Sequence, residues 1–563
     1  MSIFALLNAK RIWANTIDEK DSPSAVLCVG GVVECVGSDN EVLTHMSERC
    51  RLTGCRPHVI DLLGKYFVCP GFVDSHVHFM DGGRALNSAN VSSAKSKEEF
   101  IQSLKHYIRC RNIPPWSWVL AFGYNEVVHG AEPHRTWLDD VSSNYYIVVH
   151  RVDLHSVVVS TSVLEKCGLF HREVSHPFGG RVEVDESGYP TGVLRDSAIA
   201  LVRKWQSSDN SCEAEAAAAA SSYLAMQGIT SCFTMTSIGR DNIEEIVFLR
   251  DLDRKGALPI KLRACVRNDE IPELVSKFYN EGAQGSRHHF TCEGGKNLRL
   301  GAVKIFSDGS LGSKTAAFHD SYENDCHCGI MLGDQKELQS SVQQCLGEGL
   351  QCCVHAIGDR AVSTMIKIFS GVENHLLKTL RPRIEHCQHI YSYGTLDSMR
   401  DLSIIASCQP CHLLFDGWSA ETLIGRGRMG LSYPFRSMLD HGVHVAFGSD
   451  WHVAPADVLQ GIRAAVTRVP FPHPSNSETT MPAWNLGEAI SVEDALRCFT
   501  SGAAYAAFLE DEVGRIQRGF CADLVVLSDD ILSPRWLTGN GEALRVVLTV
   551  SNGSVVFRDP DFI

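Results

Sequence analysis

Two histidines separated by one residue stand at the end of an apolar run in "PGFVDSHVHF", residues 70–79. On an extended strand, side chains alternate between two faces, so His76 and His78 point the same way while Val77 points to the other face. Two imidazoles on one face can hold one metal ion together. An isolated His-x-His also occurs as ordinary polar residues at a strand end, so the pair needs support from elsewhere in the chain.

Four more residues with possible metal-binding chemistry follow apolar runs later in the sequence. They are Lys304 in "GAVKIFSDGS", His355 in "CCVHAIGDRA", His386 in "RPRIEHCQHI" and Asp450 in "VAFGSDWHV". Each alone has an ordinary alternative: a surface lysine, a buried histidine bound to backbone, or an aspartate that caps the next helix. Together, the five histidine and aspartate positions supply nitrogen and oxygen ligands suited to zinc or a similar divalent ion. The set therefore favours a metal centre.

The segments that carry these residues alternate apolar strand-like runs with amphipathic stretches, which indicates an α/β protein with a parallel sheet and crossover helices. Over residues 67–489 the economical solution is a closed (β/α)8 barrel of the TIM type, in which catalytic residues gather at the carboxyl ends of the strands. The alanine-rich run "SCEAEAAAAASSYLAMQG" predicts an outer barrel helix that ends at Gly228.

Both ends of the chain are rich in β-strand signals. Residues 1–66 contain three strand-like runs and no long helical pattern, and residues 490–563 add further strands with a hairpin signal at Asn552-Gly553. We expect the two ends to form one small β-sandwich domain. Residues from about 85 to 200 interrupt the alternation, with a hairpin expected at residues 186–188, and predict an insertion over the barrel mouth.

Composition narrows the function classes. The 563 residues are 44% hydrophobic and 21% charged, which is typical of a globular protein rather than a disordered or fibrous one. A net charge of -14 argues against binding to nucleic acid or to an anionic membrane, so a small-molecule partner is expected. A homodimer is left open.

Location and cysteine usage follow from the same sequence. The first apolar stretch, Ile3 to Leu7, is too short for a signal peptide, and no membrane span is predicted. The 21 scattered cysteines are typical of reduced thiols, so we expect a cytoplasmic protein. The clusters "CHC" at 326–328 and "CQPC" at 408–411 lack a second pair at structural-zinc spacing and are interpreted as packing cysteines.

The ordered motifs resemble those of metal-dependent amidohydrolases, specifically the subgroup (amidohydrolase 3 type) that includes N-substituted formamide deformylases. The similarity runs nearly end to end, through "PGFVDSHVHF", "VKIFSDGSLGSKTAAF", "HAIGDRA", "RIEHCQHI", "GSDWHVAPADVLQGIRAAVTR" and "SGAAYAAFLEDEVGRIQRGFCADLVVL". The resemblance implies a His-x-His that closes the first barrel strand, a CO2-carboxylated lysine that can bridge two metals, two further histidines and an aspartate after the last strand. Those metal-binding roles fall on His76, His78, Lys304, His355, His386 and Asp450.

The chemistry agrees with that assignment. A neutral amide resists water, and a divalent metal both makes hydroxide at neutral pH and stabilises an oxyanion. Lys304 as a carbamate would offer two anionic oxygens, whereas its ammonium form could not bind a cation. Asp450 would accept the proton of the attacking water and pass it to the leaving amine. Zinc is the expected ion, with one or two ions per site.

Other histidines carry weaker predictions. His155 in "VDLHSVVV" and His412 in "CQPCHLLFD" would polarise the substrate carbonyl or line its pocket, and a purely structural role is equally open for each. His389 is left out of the ligand set, because an offset of three residues from His386 turns it to the opposite face of a strand. His452 stands where the subgroup suggests proline, which bears on substrate preference.

The expected function is therefore a hydrolase that cleaves a non-peptide carbon–nitrogen bond of a small molecule, such as an N-formyl or N-acyl amine. Two alternatives stay open. A catalytically idle regulatory or scaffolding relative would be favoured by a lost ligand, whereas all six ligand positions are occupied here. A cyclic-amide hydrolase or a deaminase would keep the metal and differ in its products.

Overall fold

A computed structural model describes residues 2–15, 23–152, 155–177, 180–205, 210–236, 242–279, 284–291, 294–417, 419–471, 481–537 and 543–562. Eight parallel strands follow one another in chain order around a nearly closed barrel. They are β1 (Phe72–Val77), β2 (Ile229–Thr234), β3 (Lys261–Arg267), β4 (Leu298–Phe306), β5 (Gln351–Ala356), β6 (Arg383–His386), β7 (Ile405–Cys408) and β8 (His444–Phe447). Beyond β8, a parallel bridge between Trp451 and Val77 joins the last strand to the first. The prediction of a TIM-like barrel is confirmed.

Helices cover the outside of the barrel between the strands. Those that follow β1 to β8 in turn include Phe79–Leu86, Asn242–Arg254, Ile271–Leu274, Gln335–Gly347, Asp359–Phe369, Asn374–Leu380, Tyr393–Asp401, Pro410–Asp416, Ala420–Ile424, Phe435–Asp440 and Val458–Thr467. The alanine-rich run forms the helix Asn210–Met226, which precedes β2, and Gly228 after it has a positive φ of 82°. Small residues bring this helix close to Phe79–Leu86, since a Cβ on Gly83 would lie 2.0 Å from the Ala216 carbonyl oxygen.

Strands from both ends of the chain share one sheet. The five strands are Arg11–Ile12, Phe67–Pro70, Leu524–Leu527, Val546–Ser551 and Ser554–Arg558. Phe67–Pro70 pairs antiparallel with Leu524–Leu527, with Val68 opposite Val526. The expected Asn552-Gly553 turn connects the last two strands. We propose that the two ends form one domain; its division from the barrel at residues 66 and 490 stays a prediction.

A second sheet lies near the N-terminus, and the chain forms a helix between two of its strands that was not expected from the sequence. The sheet consists of Ile3–Leu7, Ala25–Val29, Val32–Gly37 and His58–Asp61. The helix Asp39–Thr53 begins at a capping box between Ser38 and Glu41 and ends at Gly54, which is left-handed with φ 69°. Only Val42 of this helix is fully buried, so it shows little apolar periodicity. The expectation of no long helix in residues 1–66 is wrong.

The insertion forms its own six-stranded sheet beside the barrel. Its strands are Ala89–Asn90, Trp118–Tyr124, Tyr146–Arg151, Ser156–Val159, Gly180–Val184 and Pro190–Asp196, with helices Lys97–Cys110, Glu126–His129, Arg135–Asp139, Thr161–Lys166 and Ala200–Arg203 around it. The predicted hairpin is present, because Asp185 N–H donates to the Tyr189 carbonyl at 2.8 Å. The Phe122 ring lies 5.0 Å from that of His452, which follows β8, so this sheet contacts the carboxyl-terminal mouth of the barrel.

The remaining helices, Val492–Arg497 and Ala503–Ala506, lie between the barrel and the last strands. Within the part of the chain that the structure describes, every helix is too short or too polar to cross a membrane.

Candidate active site at the barrel mouth

The predicted residues meet around Asp450 at the carboxyl ends of the strands. Asp450 Oδ1 lies 3.5 Å from His76 Nε2 and 3.3 Å from His78 Nε2, and its Oδ2 lies 3.9 Å from His386 Nδ1. The His386 ring is 4.5 Å from that of His355 and 4.9 Å from that of His76, measured between centroids. The structure therefore brings His76, His78, His355, His386 and Asp450 into one cluster.

Two of these residues occupy an uncommon backbone conformation. His386 has φ 71° and Asp450 has φ 58°, both in the left-handed region that non-glycine residues seldom adopt. Such conformations persist where the surroundings enforce them and are enriched at functional sites. The turn at His386 lets its side chain join the cluster although Glu385, the residue before it on β6, also points inward.

Lys304 lies on β4 with 3% of its surface exposed. Its Nζ sits 5.1 Å from the centre of the Phe306 ring, and within the described ranges no carboxylate comes within ion-pair distance of it. The ordinary alternative of a surface lysine is therefore wrong, and Lys304 does not pair with Asp308. Asp308 instead accepts backbone N–H groups from Ala317, Ile357 and Gly358 at 2.9 to 3.0 Å.

One nitrogen of each of three imidazoles is anchored. His76 Nδ1–H donates to Glu385 Oε2 at 2.8 Å, His386 Nδ1–H to Gln409 Oε1 at 2.9 Å, and His355 Nε2–H to the Gly309 carbonyl at 3.0 Å. An anchored N–H fixes the tautomer and leaves the other nitrogen with a lone pair, which is how metal-binding histidines are usually held.

The free atoms of the cluster fit a metal ion. His76 Nε2 and Asp450 Oδ1 are buried, and neither has a hydrogen-bond partner among the described residues. A buried polar atom without a hydrogen-bond partner destabilises the fold, and a ligand bound between these two atoms would remove that cost. One ring nitrogen each of His76 and His78 and a carboxylate oxygen of Asp450 lie within 4.8 Å of one another, as three ligands of one ion would.

Burial sets the protonation states that metal binding needs. It lowers the pKa of His76 to about 4, with Lys304 adding to the effect, and lowers the pKa values of His355 and His386 well below the usual value. These rings are neutral at pH 7. Burial opposes ionisation of Asp450, but His76, His78 and His386 together hold its pKa well below the usual value. Burial also lowers the pKa of Lys304, partly offset by Glu385 and Asp450.

The carboxylate of Glu385 lies buried behind the cluster and was not predicted from the sequence. Glu385 is fully buried, and besides His76 it binds Arg383, whose Nε lies 2.8 Å from Oε1. Arg383 Nη2 also donates to the Ser75 carbonyl at 2.7 Å and to Ser407 Oγ at 2.8 Å. This network ties β1, β6 and β7 together under the site. A signal was present in the sequence, since "RIEH" places two opposite charges two residues apart, on one face of a buried strand.

Of the histidines with weaker predictions, His412 and His155 lie at the cluster and His389 does not. His412 Nε2 lies 3.5 Å from Asp450 Oδ2, at the cluster. His155 lies beside it, with its ring 5.9 Å from that of His355 and its Nδ1 bonded to Asp196 Oδ1 at 2.8 Å. His389 is bonded to Ser432 Oγ at 2.8 Å and is outside the cluster. The face-alternation argument for His389 was nevertheless wrong, because β6 ends at His386.

The two cysteine clusters are not alike. Cys408 and Cys411 are buried, as expected for packing residues. Cys326 is exposed and Cys328 is half-buried with the Arg360 guanidinium 3.3 Å from its sulfur, so the packing interpretation is wrong for Cys326.

A parallel eight-stranded barrel with a histidine and aspartate cluster at its carboxyl-terminal mouth defines the class of metal-dependent barrel hydrolases. Comparison with known proteins narrows the class. The amidohydrolase family model matches residues 58–557, and the chain belongs to this family. Its assignment as a metal-dependent hydrolase rests on that match and on the relatives below.

Three relatives illustrate the similarity. The chain is 32% identical to Protein LONG AFTER FAR-RED 3 of Arabidopsis thaliana over 83% of this chain and 79% of the relative. It is 26% identical to N-substituted formamide deformylase of Arthrobacter pascens over 96% of both chains. An uncharacterized metal-dependent hydrolase from Pyrococcus horikoshii OT3 superimposes with a TM-score of 0.74 at 25% identity, covering 94% of this chain and 98% of the other.

Proposed function

We propose that the protein hydrolyses a non-peptide carbon–nitrogen bond of a small-molecule amide, with N-formyl or N-acyl amines as the substrate class. The observation that carries the proposal is the convergence of neutral histidine nitrogens and the Asp450 carboxylate around one point, beside the buried Lys304. The similarity to a relative named N-substituted formamide deformylase supports the choice of amide.

The residues that would hold the metal are His76, His78, His355, His386, Asp450 and Lys304. We propose zinc, as one or two ions, because imidazole and carboxylate suit it. When bound, such an ion lowers the pKa of water and polarises a carbonyl group. Glu385 orients the His76 ring, and Gln409 orients that of His386.

Lys304 is proposed to carry a carbamate. Its neutral amine attacks the carbon of CO2: one nitrogen–carbon bond forms, one carbon–oxygen π bond and one N–H bond break, and the proton is released to solvent. Burial favours the neutral amine that this reaction requires, because it lowers the pKa of Lys304. The carbamate carries one negative charge shared by two oxygens and can bind a cation. The ammonium form of Lys304 would repel one.

Asp450 is proposed as the proton carrier. It would take a proton from the attacking water and give it to the leaving amine nitrogen. Its two oxygens face different groups, with Oδ1 towards His76 and His78 and Oδ2 towards His412. His155 and His412 are proposed to contact the substrate carbonyl or line the pocket.

The partners proposed are small molecules rather than nucleic acid or membrane, in keeping with the net charge of -14. A homodimer is one assembly to be tested. The idle regulatory relative is disfavoured, because every proposed ligand position keeps a competent side chain. Cyclic-amide opening or deamination is distinguished by its products.

The test combines metal analysis with product analysis. The purified protein is loaded with zinc, its zinc content is measured, and it is offered N-formyl amines, N-acyl amines, cyclic amides and amino heterocycles. Release of formate or another acid with an equal amount of free amine supports the proposal. Ammonia without an acid would indicate deamination, a single ring-opened product would indicate a cyclic-amide hydrolase, and no turnover with full zinc content would contradict enzymatic function on these substrates.

A further inference from the structure

His412 occupies a position at the cluster that a metal ligand or a hydrogen-bond donor could equally take. It lies on the helix Pro410–Asp416 directly after β7, and its ring stacks on that of His386 at 6.0 Å with 12° between the planes. By distance alone, His386, His412 and Asp450 could hold an ion. The other ring nitrogen of His412 decides between the two roles.

That nitrogen is held by Gln388. The amide Nε2 of Gln388 lies 3.2 Å from His412 Nδ1, and Gln388 is itself 3% exposed. An amide NH2 only donates, so His412 Nδ1 accepts and its proton resides on Nε2. If the amide were turned around, Nδ1 would carry the proton, and with no cation between them the Nε2 lone pair would face the Asp450 carboxylate at 3.5 Å, which is a repulsive arrangement. The zinc measurement below separates that case from a metal bond.

The resulting Nε2–H has no hydrogen-bond partner. At 3.5 Å from Asp450 Oδ2 it is beyond ordinary N–H···O distances, and the atom is buried without a partner in the described part of the chain. A buried donor without a partner destabilises the protein unless a bound molecule supplies an acceptor. Donors placed in advance where negative charge develops are among the most effective catalytic devices.

We propose that His412 is a fixed hydrogen-bond donor to the substrate oxygen and not a metal ligand, with Gln388 as the positioning residue that holds its tautomer. This inference rests on the proposed amide hydrolysis for its acceptor, the carbonyl oxygen that gains negative charge in the reaction. The tautomer itself and the absence of a metal bond do not depend on that function.

The tautomer and the metal bond are tested without any substrate. In zinc-loaded protein with nitrogen-15 histidine, the His412 signals are assigned by their loss in His412→Phe, and we expect a proton on Nε2 and none on Nδ1. The His412→Phe variant should retain the zinc content of the wild type, whereas His78→Ala should lose zinc. A bare Nε2, or loss of zinc in His412→Phe, overturns the proposal.

Kinetics with the amide found in the screen test the donor role. His412→Phe should lower kcat by about 10²–10³-fold, the usual effect of removing one such donor, with a smaller change in KM. His412→Gln should recover part of the rate, since its amide can donate. Gln388→Met should lower kcat less and give a mixture of His412 tautomers, whereas a merely structural role would leave the tautomer unchanged.

The matched control is His441→Asn, a half-exposed histidine bonded to Asp397 away from the mouth, which should leave kcat unchanged. Full activity in His412→Phe overturns the donor role. If the wild type hydrolyses no amide, the proposed function fails, while the tautomer and zinc measurements still decide whether His412 is a donor or a ligand.

Discussion

Lys304 can be an ammonium, a neutral amine or a carbamate. The ammonium form would oppose metal binding at this position, because like charges repel. We predict that Lys304→Ala lowers the metal content and abolishes most activity, since the proposed carbamate ligand could no longer form. A short-chain acid such as propionate should restore part of both by supplying a carboxylate in its place. Metal per chain and initial rates are measured with and without the acid.

The matched control is Lys314→Ala, which removes a half-exposed lysine paired with Asp325 and should leave the metal content as it is. Unchanged metal and unchanged rate in Lys304→Ala would rule out the bridging role.

Glu385 contacts the proposed ligand set through its hydrogen bond to His76, and its effect on metal affinity should be large. We predict that Glu385→Gln weakens zinc binding by about 10–100-fold, the range found when the partner of a metal-bound histidine is changed. The variant loses both the charge-assisted bond to His76 and the ion pair with Arg383. Zinc affinity is measured by competition with a chelator. Glu373→Gln, which alters an exposed carboxylate beside His375, serves as the control, and equal affinities in both variants would contradict the prediction.

The sequence predicted the residues of the cluster better than it predicted Glu385, which holds His76 in place. His76, His78, His355, His386 and Asp450 could be found because each lies at or just after the end of a strand-like run. Glu385 could not be assigned in this way, because adjacent residues on a strand normally face opposite sides. The positive φ of His386 breaks that rule, and such a backbone conformation leaves no periodic trace in the sequence.

Among the secondary structure elements, the barrel strands were predictable and the helix Asp39–Thr53 was not. Fully buried strands are continuous apolar runs, which stand out in a sequence. The helix is mostly exposed and buries only Val42, so its apolar period is weak. Its ends carried the usable signals, namely the Ser38 and Glu41 capping box and Gly54.

The amino-terminal end of the barrel contains a fully buried guanidinium, that of Arg263. Its Nη1 donates to His289 Nδ1 at 3.0 Å, and burial, followed by the charge of Arg263, lowers the pKa of His289 to about 3. A neutral histidine in the folded state and a titrating one in the unfolded state mean that the unfolded chain binds more protons between pH 6.5 and 3. His289 therefore stabilises the fold fully above pH 6.5 and loses this contribution as the pH falls.

We predict that His289→Gln makes stability less dependent on pH, because the glutamine oxygen still accepts from Arg263 but does not titrate. Urea unfolding midpoints at pH 7.5 and pH 5 are compared in both proteins. The fall between the two pH values should be smaller in the variant. A fall equal to that of the wild type would show that His289 does not contribute, and His375→Gln, an exposed histidine, is the control.

At the scale of the whole molecule, the carboxyl-terminal end of the chain is attached to the barrel by a buried ion pair. Lys261 on β3 contacts Asp523 at 2.8 Å and Asn552 at 2.8 Å, and Lys261 and Asp523 are only 3% and 2% exposed. The sequence could show that both ends are rich in β-strands. It could not show this contact, because the paired residues are 262 positions apart.

We predict that Asp523→Ala lowers the free energy of unfolding by about 3–5 kcal/mol, because it leaves the Lys261 charge buried and unpaired. The double variant Lys261→Met with Asp523→Leu should be more stable than Asp523→Ala, since no charge is then left without a partner. Lys10 and Asp529 also join the two ends of the chain, at 2.6 Å, but their side chains are 45% and 57% exposed. Asp529→Ala should therefore cost less than about 1 kcal/mol. Guanidinium chloride unfolding followed by tryptophan fluorescence compares the variants, and equal losses in Asp523→Ala and Asp529→Ala would mean that the buried pair does not hold the carboxyl-terminal end to the barrel.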